Sequence, residues 1–131
     1  MDINTRIVVI GASAGGIPAI GRLLSGLSPD WNAVVVVVQH LSPHSNASIS
    51  VRTWQQQTAM ACRTAEDGLI IERGAVYLAP SNHHLMLSGG NLRVYQGPRQ
   101  NNYRPSIDVL FRSQRWSGAT GYRDYPYLLI G

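Results

Sequence analysis

Apolar residues near the start of the chain follow two different rhythms. Ile7-Val8-Val9-Ile10 is an unbroken β-branched run that stops at Gly11, the signature of a strand covered on both faces. After Gly11-Ala12-Ser13-Ala14-Gly15-Gly16 the spacing changes, and apolar residues at 17, 20, 23, 24 and 27 recur with the period of a helix. Pro18 is compatible only with the first turn of that helix, and Ser28-Pro29-Asp30 ends it. A second unbroken run, Ala33 to Val38, leads into Gln39-His40-Leu41-Ser42-Pro43. Strand, helix and strand, with both strands apolar throughout, predict a βαβ unit in a parallel sheet.

Further on the pattern is sparser. Residues 46–60 suit a second helix, with Ile49, Val51, Trp54 and Met60 as its buried positions. Ala65-Glu66-Asp67-Gly68 is a turn, and Ala75 to Ala79 a strand stopped by Pro80. Leu85-Met86-Leu87 and Leu92-Arg93-Val94-Tyr95 flank Ser88-Gly89-Gly90-Asn91, which predicts a hairpin. Gly97 to Arg104 is polar loop, and Ser106 to Phe111 opens another amphipathic helix. Trp31 and Trp54 are assigned to the core. The chain carries no repeat, low-complexity tract or linker, so one α/β domain is expected.

Composition narrows the function. At 131 residues, with 44% apolar and 14% charged residues, the chain can bury a core and is not a disordered polymer. Its longest apolar stretch, Ala33 to Val38, is far short of the ~20 residues that cross a bilayer. The first residues lack the basic start and apolar core of a secretory signal, which points to the cytoplasm and away from membrane insertion. Cys62 is the sole cysteine, so neither an intrachain disulfide nor a thiolate metal site is available. All 11 basic residues are arginine, against 7 acids, for a net charge of +4. They are scattered from Arg6 to Arg123 and never adjacent, which argues against a nucleic-acid footprint. Without lysine there is no P-loop and no Schiff-base chemistry.

One constellation carries chemistry. Gly11-x-Ser13-x-Gly15 lies between a predicted strand and a predicted helix, the context of a nucleophile elbow. Flanking glycines permit a tight reversal that projects the Ser13 hydroxyl from the strand end. The backbone N–H groups that follow, those of Ala14 and Gly15, would face a developing oxyanion. The second strand ends at His40, so topology sets a serine and an imidazole at the carboxyl ends of two strands, where open α/β sheets hold their sites. Neighbouring strands lie about 4.8 Å apart, within reach of proton transfer between the two side chains.

Rival readings have less behind them. A phosphate cradle is the commoner use of a glycine-rich strand-to-helix turn. However, Gly-x-x-x-Gly-Gly is not G-x-G-x-x-G, and Gln39-His40 stands where a dinucleotide site expects an acid. His40 also reads as a simple strand-end cap. The pairs His40/His44 and His83/His84 invite a metal, but Pro43 disfavours a helix through the first pair and no H-E-x-x-H occurs, so no metal site is assigned. Cys62 is read as a small buried hydrophobe and not as a nucleophile.

The motifs Ile10-Gly11-Ala12-Ser13-Ala14-Gly15-Gly16, Val37-Val38-Gln39-His40, Ala65-Glu66-Asp67-Gly68, Tyr77-Leu78-Ala79-Pro80 and Arg104-Pro105-Ser106-Ile107-Asp108-Val109-Leu110-Phe111 occur in this order. Together they resemble the catalytic domain of the CheB family, the protein-glutamate methylesterases of bacterial chemotaxis, over approximately residues 5–112. The resemblance implies a doubly wound, mostly parallel α/β sheet with a β-hairpin. It also implies hydrolysis of glutamate methyl esters, and in some members deamidation of glutamines, on the cytoplasmic domain of methylated chemoreceptors. Ser13 would be the nucleophile and His40 the base, with no cofactor and no metal.

Two departures from the family pattern stand out. Its usual receiver domain does not precede the esterase segment here, which suggests a stand-alone form. The family's triad aspartate, in a Gly-Met-Gly-x-Asp-Gly-like loop, has no counterpart in the sequence. Residues 1–112 are therefore read as the methylesterase domain and 113–131 as a divergent tail. The expected cause is a reading-frame shift near residue 113, with the family's C-terminal strands and helices missing and a sheet edge unpaired. Asp67, Asp108 and Asp124 are the remaining acids considered for His40, and none matches the triad position. Loss of the orienting acid costs about 10⁴-fold in turnover, so the alternative is an impaired domain serving as a receptor- or partner-binding module.

Overall fold

The structure is a computed structural model that describes residues 5–40, 45–99, 104–116 and 127–130. Five parallel strands form the central sheet: β1 (Arg6–Ala12), β2 (Ala33–Gln39), β3 (Ala61–Thr64), β4 (Ala75–Leu78) and β7 (Tyr127–Ile130), in the order β3-β4-β2-β1-β7. The helices are α1 (Ile17–Ser25), α2 (Ala47–Gln55) and α3 (Ile107–Trp116), and the strands β5 (His84–Ser88) and β6 (Asn91–Tyr95) form an antiparallel hairpin. No helix among the described residues is long and apolar enough to cross a membrane.

Strand pleating sorts the side chains of β2 onto two faces. Val35 and Val37 pack with Ile10, Ile20, Leu24 and Trp54, under α1 and α2. Val34, Val36 and Val38 pack with Val9, Tyr77, Leu85, Leu92 and Leu110, under the hairpin and α3. With helices on both faces, the doubly wound, mostly parallel architecture with a hairpin is the one observed. The two outer strands of the described sheet are β3 and β7.

Glycine is required where the connection into β4 passes the loop between α1 and β2. Gly74 has φ +78°, and a Cβ there would lie 2.8 Å from the Pro29 carbonyl oxygen. Any larger residue would be both strained and in collision.

Several local expectations are revised. Helix α2 ends at Gln55, well short of residue 60, and buries Ala47, Ser50 and Trp54, which turns Ile49 outward to 62% exposure. Met60 is buried, but past the end of the helix. Trp54 is fully buried and donates its indole N–H to the Ile17 carbonyl, whereas Trp31, in the bend before β2, is 52% exposed. Strand β3 was not expected. Its residues Ala-Cys-Arg-Thr are only partly covered, and a short mixed edge strand leaves no apolar run to detect. Of the divergent tail, residues 117–126 and 131 lie outside the described residues, while 127–130 pair with β1.

Candidate active site

Ser13 and His40 are the residues that directly follow the last paired rung of β1 and β2. Ala12 and Gln39, the last residues of β1 and β2, are register partners. The His40 N–H continues the ladder with a 2.9 Å hydrogen bond to the Ala12 carbonyl. Ser13 is extended, with φ −79° and ψ 172°, so the alternation along β1 carries through it. The period of two therefore assigns Ser13 to the face of Gly11 and His40 to the face of Val38, which is the α3 face. Strand spacing sets the two backbones about 4.8 Å apart at the carboxyl rim.

The backbone turns into α1 through a 3₁₀ turn, Ala14–Gly16, closed by the Gly16 N–H on the Ser13 carbonyl at 2.9 Å. The N–H groups of Ala14 and Gly15 come before that closure and have no carbonyl to meet within the turn. The space a Cβ would take at Gly15 is open. Gly11 serves a different purpose from the tight reversal expected of it. A Cβ there would sit 2.6 Å from Ile107 Cγ2, so glycine lets the first turn of α3 lie directly on β1 beside Ser13.

Beside His40 lies Gln39, 2% exposed, whose amide oxygen and nitrogen are both buried without a hydrogen-bond partner among the described residues. His44 falls outside the described residues.

A polar network then fixes the α3 side of the rim. The loop after β4 is tied to the end of the β2 loop by Ser81 Oγ, which donates to the Ser45 carbonyl at 2.6 Å. Asn82, at φ 62°, accepts on Oδ1 from Arg104 Nε at 2.9 Å and Nη2 at 2.7 Å. Arg104 Nη1 also donates to the Gly97 carbonyl at 3.1 Å. His84 is 1% exposed and bridges two segments. Its Nε2 lies 2.7 Å from the Pro98 carbonyl, and its Nδ1 lies 3.3 Å from the Ser106 N–H at the start of α3. The bonding pattern assigns the neutral ring with its proton on Nε2. Of the histidines considered for a metal, His83 and His84 are engaged with backbone, His83 through Nδ1 at 2.8 Å from the Ser81 carbonyl. Arg104 and Asn82 had no functional reading in the sequence, and His84 was considered only as a metal ligand. The Arg-Pro-Ser motif was the only trace of them, since their contacts join residues 22 positions apart.

Other candidate groups are accounted for locally. Burial pushes the Cys62 thiol up to about 11, so little thiolate exists near neutrality. Asp67 Oδ1 accepts from the Val94 N–H at 3.0 Å and Arg93 Nε at 3.1 Å, clamping the turn before the hairpin to β6. These contacts, the Val94 N–H foremost, hold its carboxyl below the usual carboxylate value. Asp108 occupies the second position of α3, and Asp124 lies outside the described residues.

An open parallel sheet with helices on both faces, whose polar side chains gather at the carboxyl rim, is an α/β domain of the kind that keeps its site beyond its strand ends. The CheB methylesterase family model matches residues 8–120, and the chain belongs to that family. A protein-glutamate methylesterase/protein-glutamine glutaminase of Saccharophagus degradans is 36% identical over 128 residues, covering 96% of this chain and 34% of the relative. One from Burkholderia orbicola is 42% identical over 116 residues, covering 86% of this chain and 34% of the relative. The CheB methylesterase catalytic domain of Thermotoga maritima superposes with a TM-score of 0.81 at 27% identity, covering 98% of this chain and 67% of that one. The chain spans about a third of the length of the curated relatives it matches.

Proposed function

We propose that the chain is a serine ester hydrolase acting on glutamate methyl esters of a protein substrate, the cytoplasmic domain of a methylated chemoreceptor. The relatives' names supply the reaction class. The placement of Ser13 and His40 directly after the register partners Ala12 and Gln39, with the His40 N–H bonded to the Ala12 carbonyl, is the observation that carries it.

In this reading His40 takes the Ser13 proton as Oγ attacks the ester carbonyl. The oxyanion meets the N–H groups of Ala14 and Gly15. The tetrahedral adduct collapses with cleavage of the C–OCH₃ bond, and methoxide leaves as methanol with the proton from His40. Water, deprotonated by His40, then attacks the acyl-serine, releasing the glutamate carboxylate and restoring Ser13. With a glutamine substrate the same steps release ammonia.

An activity-based fluorophosphonate probe tests the pair. Labelling is expected at Ser13 in the native chain and is expected to be lost in both Ser13→Ala and His40→Ala. Labelling elsewhere, or labelling indifferent to His40, overturns the reading.

A further inference from the structure

Arg104 carries a charge that no carboxylate among the described side chains meets. Its guanidinium is half-buried and fixed by three hydrogen bonds, two to the Asn82 amide oxygen and one to the Gly97 carbonyl. All of these acceptors are neutral, and no carboxylate among the described side chains pairs with Arg104. A guanidinium has five N–H groups, so two remain after these contacts. Bracing Asn82 and Gly97 needs only donors. A cation drawn out of water without a counter-ion is unfavourable where a neutral donor would do the same work.

Its location ties that charge to the rim. Strand β4 is the neighbour of β2, so the loop carrying Asn82 leaves the sheet on the strand next to the one that ends before His40, and Ser81 is tied to the Ser45 carbonyl. Arg104 also stands three residues before Ile107, whose side chain lies over Gly11, itself two residues before Ser13. The Asn82 and Gly97 contacts hold the planar fork in one orientation. That is the arrangement in which guanidinium recognises carboxylate with two parallel hydrogen bonds.

We propose that Arg104 anchors the protein substrate by pairing with an unmodified glutamate or aspartate side chain next to the methyl-glutamyl residue in the site. This inference rests on the methylesterase reading and adds a selection rule to it: esters flanked by a free acid are bound in preference to isolated ones. The reacting ester is uncharged and gives the guanidinium nothing to pair with. A neighbouring carboxylate does, and it completes the two open N–H positions.

The test uses the Ser13→Ala chain, which keeps the ester intact, and two helical peptides. Each bears one glutamate γ-methyl ester. One has glutamate a helical turn away, and the other has glutamine there. The glutamate peptide is expected to bind about tenfold tighter, the scale of a hydrogen bond to a charged group, with the difference shrinking as salt rises. Adding Arg104→Gln is expected to erase that preference, and adding Arg104→Lys to retain part of it. Equal binding of the two peptides overturns the proposal, as does a preference that survives Arg104→Gln. Should Arg104→Gln fail to fold, the peptide comparison on the Ser13→Ala chain decides alone, because it leaves Arg104 and its contacts untouched. In the native chain the preference should appear in KM with kcat little changed. A surviving peptide preference without methanol release by the native chain strikes the hydrolase reading alone. Methanol release without a preference strikes only the role of Arg104.

Discussion

On one side of the sheet, α1 and α2 are held down by Ile20, Leu24 and Trp54 against valines, with a side-chain hydrogen bond from Trp54 to Ile17 the only one between the two helices among the described residues. On the other side, leucines of the hairpin and α3 supply burial, but directional bonds set the position. His84 joins Pro98 to Ser106, Arg104 joins Asn82 to Gly97, and Ser113 Oγ accepts from the Leu87 N–H at 3.0 Å. Apolar burial is proportional to area and indifferent to orientation, so it fixes that a layer is present more firmly than where it sits. Hydrogen bonds fix distances to tenths of an ångström. Ser13 and His40 fall on the second side, where the neighbouring parts are positioned most tightly.

This contrast leads to substitutions with separable effects. Ser13→Ala should give the largest, a loss of about 10²-fold in the methyl-ester turnover that remains without an orienting acid. Thermal unfolding should be unchanged, because its hydroxyl caps nothing in the turn. Trp54→Ala on the opposite side should cost about 3–5 kcal/mol in urea unfolding, while the fraction still folded keeps its specific activity. If activity per folded molecule falls with it, the two sides are not independent.

His84→Leu should cost about 1–3 kcal/mol, since it strands the Pro98 carbonyl and the Ser106 N–H in the interior. It should also lower turnover by letting the start of α3 shift over Gly11. A stability loss with turnover intact would separate the network from the site. The smallest effect belongs to Asp67→Asn. The folded carboxyl titrates below its unfolded value, because the Val94 N–H and then Arg93 favour the charged form. Its contribution to stability is therefore fully present above about pH 5 and is lost as pH falls through the depressed folded value. Unfolding midpoints of native and Asp67→Asn chains should differ near pH 6 and converge as pH falls through the depressed folded value of the carboxyl. A constant difference would mean that the hairpin clamp does not depend on charge.

The same contrast separates what could be read in the sequence from what could not. Residues 7–38 were legible because uninterrupted β-branched runs around a helical spacing admit few arrangements other than βαβ. Ser13 and His40 followed from that topology alone, as the residues at two strand ends. Ile49 and Trp31 misled because an apolar side chain says nothing about which way its backbone turns it. Arg104 and His84 stayed illegible for a deeper reason. A hydrogen bond between residues 22 apart leaves no periodic mark, and an arginine on a loop has the same letter whether it is solvated or fixed.

The strand order carries a consequence for synthesis. β1 is made first, yet its outer neighbour β7 is the last described strand to be made, with more than a hundred residues between them. At ribosomal speeds of ~5–20 residues per second, that flank of the nascent sheet waits on the order of ten seconds for its mate. Throughout that interval the row of amides beside Val9–Ala12 stands open to any passing extended chain. That row is the flank of the growing sheet that β7 alone, among the described strands, comes to cover.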